Sequence, residues 1–172
     1  FGVRRKLFMR MKDLKETEGR LWERAPDDLE WGAEVVSADF SDAYMHLRVH
    51  QEELKHTFSM HADHDNLIMW VMLCFGLKAA PLLWSRLAAA LGRLLQGLFS
   101  PSELRLQLYL DDPLWVTVGP RRRRLRNTAL ILWVLLALGV RISWKKGAMG
   151  TRVEWIGVLF ELRWAEQCVV IS

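Results

Sequence analysis

The chain has 172 residues, 51% hydrophobic and 26% charged, which is enough apolar surface to bury the core of one domain and too much for a disordered or low-complexity chain. Lys and Arg number 24 against 20 Asp and Glu, and a surplus of +4 argues for a nucleic-acid partner only where the basic residues gather in space. The two cysteines, Cys74 and Cys168, exclude a disulfide framework and lack metal-site spacing, which favours an intracellular reducing compartment.

Residues 1–32 mix both charge signs densely and read as a peripheral N-terminal segment whose helical part ends by Pro26. The chain starts at Phe1 with no signal-peptide pattern, so sequence upstream of it is expected. Val35 and Val36 predict a strand over 33–38 with Asp39 near its end, and Leu47 and Val49 predict its resumption. HTFSMH at 56–61 and LIMWVML at 67–73 are predicted antiparallel partners, ended by Phe75 and Gly76. After Pro81, leucines 83, 87, 91, 94, 95 and 98 recur at helical spacing up to Gly97 and Pro101. Leu104, Leu106 and Leu108 then alternate with Arg105, Gln107 and Tyr109, and LWVTV follows Asp111-Asp112-Pro113: a hairpin with its acids at the tip. Residues 121–138 are predicted helical with an arginine-rich first turn, and 140–144 and 153–162 are predicted strands. The longest apolar run, ALILWVLLAL at 129–138, is ten residues. A bilayer requires roughly 18 to 20, so no self-contained transmembrane span is expected.

Asp39 at one strand end and Asp111 and Asp112 at a hairpin tip would meet if their strands are neighbours. Three such carboxylates repel one another unless divalent cations neutralise them, and Mg²⁺ takes oxygen ligands and bridges substrate phosphates. Two ions roughly 3.5 to 4 Å apart activate an attacking hydroxyl and stabilise a leaving oxygen, which is phosphoryl-transfer chemistry. Asp-Asp-Pro is also an ordinary turn. The apolar lead Tyr109-Leu110, and Tyr44 five residues after Asp39, weigh towards a site.

These residues carry a resemblance. YLDD at 109–112 resembles the catalytic hairpin motif of reverse transcriptases of the retrotransposon kind, and DFSDAY at 39–44 their first catalytic-aspartate motif. LCFGLKAAPLLWSRL at 73–87, LGVRISWKKG at 138–147 and VEWIGVLFEL at 153–162 are similar to three further motifs, in the family's order. The resemblance implies an α+β polymerase-type palm over 33–172, mainly an antiparallel sheet backed by helices, with 1–32 as a remnant of the fingers. It implies that Asp39 and Asp111 hold two Mg²⁺ ions, with Asp112 assisting. Tyr44 would pack under the nucleotide sugar, Gly76 would admit the base pair, and Lys145 or Lys146 would protonate the leaving pyrophosphate. Trp155, Ile156 and Gly157 would grip the primer end, and the implied partners are an RNA template and a DNA primer.

Two departures shape the expectations. Pro113 stands where the family has a bulky aliphatic residue, which predicts a distorted hairpin. Fingers and thumb extend beyond this length, so residues 1–172 alone are expected not to extend a primer. The alternative is an inactive palm serving as a structural subunit.

Weaker signals complete the reading. HADHD at 61–65 is expected to be a solvated turn rather than a metal site. The arginines at 121–124 and 126 oppose the helix dipole, which predicts an anionic partner, and the apolar stretch behind them predicts a protein interface through 121–138. The nine tryptophans are expected mainly in the core.

Overall fold

The computed structural model describes residues 31–62, 65–163 and 168–171. The expectations for 1–30, for Asp63 and His64, and for Trp164 lie outside these residues.

The valine pair forms the centre of the molecule. Strand β1 (Trp31–Ser37) is flanked on both sides. β4 (Leu104–Tyr109) and β5 (Asp112–Pro120) make the expected hairpin, and β6 (Ala148–Gly150) pairs with the far edge of β1, giving the antiparallel order β4-β5-β1-β6. The side-chain alternation of β1 splits its residues between two cores: Val36, with Ala38 and Phe40 beyond the strand, faces the helices, while Ala33 and Val35 face the opposite side. Leu114, Val116 and Val118 follow Ala33 and Val35, whereas Trp115 follows Val36. Burial on both faces explains why 113–119 reads as a nearly continuous apolar run.

Helices α1 (Ala80–Gly97) and α2 (Arg121–Ala137) cover the first face. In α1, Pro81 occupies the first turn, where its missing N–H costs nothing, and Trp84, Ala88, Leu91 and Leu95 are buried at three- and four-residue spacing. Gln96 in its last turn donates to the Leu104 carbonyl and accepts from the Leu106 amide, which protects the free edge of β4. The second face is covered by another sheet, β7 (Arg152–Trp155), β8 (Val158–Arg163) and β9 (Cys168–Ile171), which brings Val153, Trp155, Phe160 and Leu162 against β1 and β5. The α+β fold of antiparallel sheets and helices is as expected. No helix among the described residues is long and apolar enough to cross a membrane.

Three expectations need correction. The predicted strands around 47–50 and 140–144 reduce to single bridges, Arg48 to Met72 and Phe40 to Ile142, and a 3₁₀ helix (Gln51–His56) occupies the start of the first predicted hairpin. That hairpin keeps only β2 (Phe58–Met60) and β3 (Leu67–Met69). Pro113 leaves the β4–β5 hairpin undistorted: it pairs with Leu108 in unbroken register and is fully buried, and its carbonyl accepts from Ala38 N–H at 3.0 Å. Its missing donor faces β1 rather than β4, so the hairpin's own ladder is intact.

The arginine run also finds anions within the chain. Arg124 is buried, donates to the Gly119 carbonyl and lies 3.2 Å from Glu34, and Arg123 pairs with Glu103 while its guanidinium covers the Trp31 ring. Trp84, Trp115 and Trp155 are core residues as expected, but Trp133 and Trp144 are exposed.

Candidate active site

Asp39 is held on both sides. Beyond the end of β1, Ala38 and Phe40 donate to the carbonyls of Pro113 and Asp111, at 3.0 and 2.8 Å. On the other side, Ser143 donates to the Asp39 carbonyl and Ser41 to that of Arg141, at 2.8 and 2.9 Å. The Asp39 backbone is thus pinned between the hairpin tip and the 141–143 segment, although neither neighbour is a regular strand there.

At the tip, Tyr109 pairs with Asp112, so Leu110 and Asp111 form a two-residue turn. Leu110 has φ 53, a left-handed conformation that glycine or asparagine would ordinarily supply. Leu110 nevertheless packs against the helix-side core. The turn places Asp111 at the apex and Asp112 at the start of β5, beside Asp39.

The carboxylates feel one another. The Asp112 carboxyl is pushed above its ordinary range, first by burial and then by the charges of Asp111 and Asp39, while Lys146 opposes the shift. Lys146 closes the cluster from the other side: its Nζ donates to Asp39 Oδ1 at 3.0 Å, and that hydrogen bond, with the charge of Asp39, holds the ammonium above its usual range. Of the two candidate lysines, Lys146 is the one that makes this contact. Among the described residues no three Asp, Glu, His or Cys side chains are closed into a metal-binding group. The donors present are carboxylate oxygens, the kind a hard divalent cation takes, and a cation already sits on one of them.

The second hairpin is tied to the first. Trp155 Nε1 donates to the Asp112 carbonyl at 3.1 Å, so the turn that follows β7 is anchored on the carboxylate tip. That turn is Ile156 and Gly157, with φ 47 and 72, both positive as a type I′ hairpin requires. Tyr44 lies in a 3₁₀ turn (Ala43–His46), and its ring meets that of Phe75 edge-on at 4.8 Å. Gly76, next to Phe75, has φ 94 with open space where a side chain would stand.

His46 escaped the sequence reading. Its Nε2 accepts from Arg141 N–H at 2.9 Å while Nδ1 lies 3.1 Å from the Ala43 carbonyl, which assigns the proton to Nδ1, and its ring lies against Trp84. It ties the Tyr44 turn to the segment that flanks Asp39. Its partner lies far along the chain, so no local pattern signals this role.

Residues 9–160 match the family described as reverse transcriptase (RNA-dependent DNA polymerase). The chain belongs to the reverse transcriptase family. It is 28% identical, over 146 residues, to the enzymatic polyprotein of Soybean chlorotic mottle virus, an alignment covering 84% of this chain and 18% of the polyprotein. This reverse transcriptase chain therefore spans less than a fifth of that relative's length. Among solved structures it is similar to the foamy viral protease-reverse transcriptase in complex with an RNA/DNA hybrid, with TM-score 0.62, 17% identity, and coverage of 77% of this chain and 16% of that one. The dRH form of the same foamy viral protein in complex with double-stranded DNA gives TM-score 0.63 at 17% identity, covering 77% and 21%. At that identity the likeness is one of fold. The reverse transcriptase match includes the turns of both hairpins, the Tyr44 turn and Lys146.

Proposed function

We propose that this chain is the palm of an RNA-directed DNA polymerase, which adds deoxynucleotides to a DNA primer on an RNA template. The observation that carries the reading is the meeting of Asp39, Asp111 and Asp112, where the β1 extension joins the hairpin tip, with Lys146 against Asp39. Asp39 and Asp111 would hold two divalent cations of the Mg²⁺ type. When bound, such ions activate the primer hydroxyl and neutralise the charge on the transferred phosphoryl group. Asp112, beside them at the start of β5, would assist their electrostatics.

The other residues position substrates. Lys146 stands at the carboxylate edge against Asp39, where its ammonium would meet the triphosphate and could pass a proton to a leaving pyrophosphate. Tyr44, braced by Phe75, offers a flat face on which a sugar would rest and where a 2′-hydroxyl would clash. At Gly76 the open backbone admits a base pair. Ile156 and Gly157 are exposed next to the Trp155 anchor, which suits them to a primer end. The alternative, a silent palm acting as a structural subunit, rested partly on Pro113, which is accommodated; the exposed Trp133 still favours a protein contact.

The test is Mn²⁺ binding to residues 1–172, followed by electron paramagnetic resonance and compared in Asp39→Asn and Asp111→Asn, together with anisotropy of a labelled RNA/DNA hybrid. Binding that both substitutions weaken, with hybrid affinity that rises with Mn²⁺, is expected. Mn²⁺ binding indifferent to both substitutions would end the catalytic reading. Primer extension by 1–172 alone is not expected, because the reaction needs primer and nucleotide aligned by elements that a palm lacks.

A further inference from the structure

We propose that the outer face of α2 is a homodimer interface, on which a second copy of this chain docks its own α2 in antiparallel register about Trp133. This goes beyond the polymerase reading and does not depend on it.

The burial of α2 is inverted along its length. Arg124, Asn127 and Thr128 are buried with Ile131 and Leu135, while Leu130, Trp133 and Leu136 are exposed. Trp133 is 66% exposed. An indole rarely stays in water when a partner can cover it. On a helical projection, Arg122, Arg126, Ala129, Trp133 and Ala137 form one outward stripe, all of them exposed. Its N-terminal half is cationic and its C-terminal half apolar.

The charges choose the occupant and its direction. The first turn of α2 carries arginines and no acid, and the last turn carries no base. Both ends therefore leave the helix dipole uncompensated, and the arginines oppose it. Glu103 and Glu34 take up Arg123 and Arg124, whereas Arg121, Arg122 and Arg126 are exposed from the same end. A second α2 laid antiparallel about Trp133 brings Arg126 beside the C-terminal end of its partner, where the helix dipole is negative. The two Arg126 side chains then lie about 20 Å apart along the helix axis and the other exposed arginines farther, more than two Debye lengths in physiological salt, so their repulsion is screened. A parallel pair would place all the arginines together. Antiparallel pairing is also the isologous two-fold arrangement most dimers adopt. One helix face per copy is a small contact, which sets the expected Kd near the micromolar range.

Sedimentation velocity of residues 1–172 across that concentration range is the test. The expected result is a reversible monomer–dimer equilibrium, shifted to monomer by Trp133→Glu with unchanged circular dichroism. Ala129→Lys, on the same stripe, keeps the test open if the tryptophan variant unfolds. Orientation is read by oxidative cross-linking, in which register about Trp133 places Ala129 opposite Ala137. Ala129→Cys mixed with Ala137→Cys should cross-link above the background of the chain's own cysteines, and Ala137→Cys alone should not. A chain monomeric at all concentrations overturns the proposal, including one whose α2 face is shielded from labelling by its own N-terminal segment or by an acidic protein partner. A dimer indifferent to Trp133→Glu and Ala129→Lys, or one in which Ala137→Cys links to itself, does so equally.

Discussion

The two hairpins of the site share a turn length and differ in how their turns are made tolerable. Between β7 and β8, Ile156 adopts φ 47 and is followed by Gly157, so one of the two left-handed positions has the residue that turn chemistry prefers. Between β4 and β5, Leu110 adopts φ 53 and Asp111 follows, with no glycine in the turn. The surroundings differ in the same sense. The tip of β4–β5 is held by Phe40 on one side and its leucine reaches the core, whereas Ile156 stands 41% exposed at the end of its ribbon. A strained turn without glycine persists where neighbours over-determine it, and the residue it spares for chemistry is the aspartate at its apex.

The largest effect should come from cutting the link between the hairpins. Trp155→Ala removes a buried indole and its bond to the Asp112 carbonyl, and should cost about 3–5 kcal/mol in urea unfolding. Trp155→Phe keeps most of the packing and loses the bond, at about 1 kcal/mol. If the two cost the same, the link is packing alone.

Next in size is the chemistry at the first tip. Asp111→Asn should weaken Mn²⁺ binding by about tenfold or more, a little over 1.4 kcal/mol, while leaving the urea midpoint in place, because the apex contributes little packing. Lys146→Met should act in the opposite direction and tighten Mn²⁺ binding, since Asp39 Oδ1 loses its competing ammonium. Titration calorimetry reads both.

Ile156→Asn should stabilise the fold by about 1 kcal/mol, because asparagine accepts the left-handed position that a β-branched residue resists. Leu110→Asn should not, since relief of the turn is offset by lost contact with the core. Equal gains at the two turns would erase the distinction between them.

The smallest effect concerns pH. The Asp112 carboxyl titrates higher in the folded chain than its ordinary value of 3.8, so the native state binds the extra proton. Stability contributed by that proton is present below the ordinary value and is lost as pH rises through the folded one. Asp112→Asn should flatten the stability profile over that acidic interval, as measured by thermal unfolding at a series of pH values.

The parts of this fold legible in sequence are those whose pattern is local. Val35-Val36, the leucine repeat of α1 and the alternation before Asp111 each report a period set by the element itself. β6 was not legible, because Ala148–Gly150 has no strand character of its own and pairs only because β1 offers an edge. Val140 and Ile142 misled in the opposite sense: both are buried and β-prone, yet Gly139 at φ 76 follows the end of α2 there and the segment makes a single bridge, to Phe40 beyond β1. Of the site, the three aspartates and the lysine pair could be named in advance. That Lys146 rather than Lys145 contacts Asp39, and that Glu34 neutralises Arg124, depends on which way a backbone turns after long excursions of chain.

The position of β1 in the sheet has a consequence for synthesis. Val35 lies between Val116 and Gly150, so β1, the earliest of the described strands to leave the ribosome, has both neighbours still to come. Until β5 emerges the nascent chain carries a valine-rich ribbon with two bare edges, and one edge stays bare until residue 150 follows. Contacts this distant in sequence form slowly, so the domain is exposed to aggregation for most of its translation. A message truncated before the codon for Asp112 would encode β1 without β5 and β6, and holdase chaperones would be expected to engage that product more heavily than the finished domain.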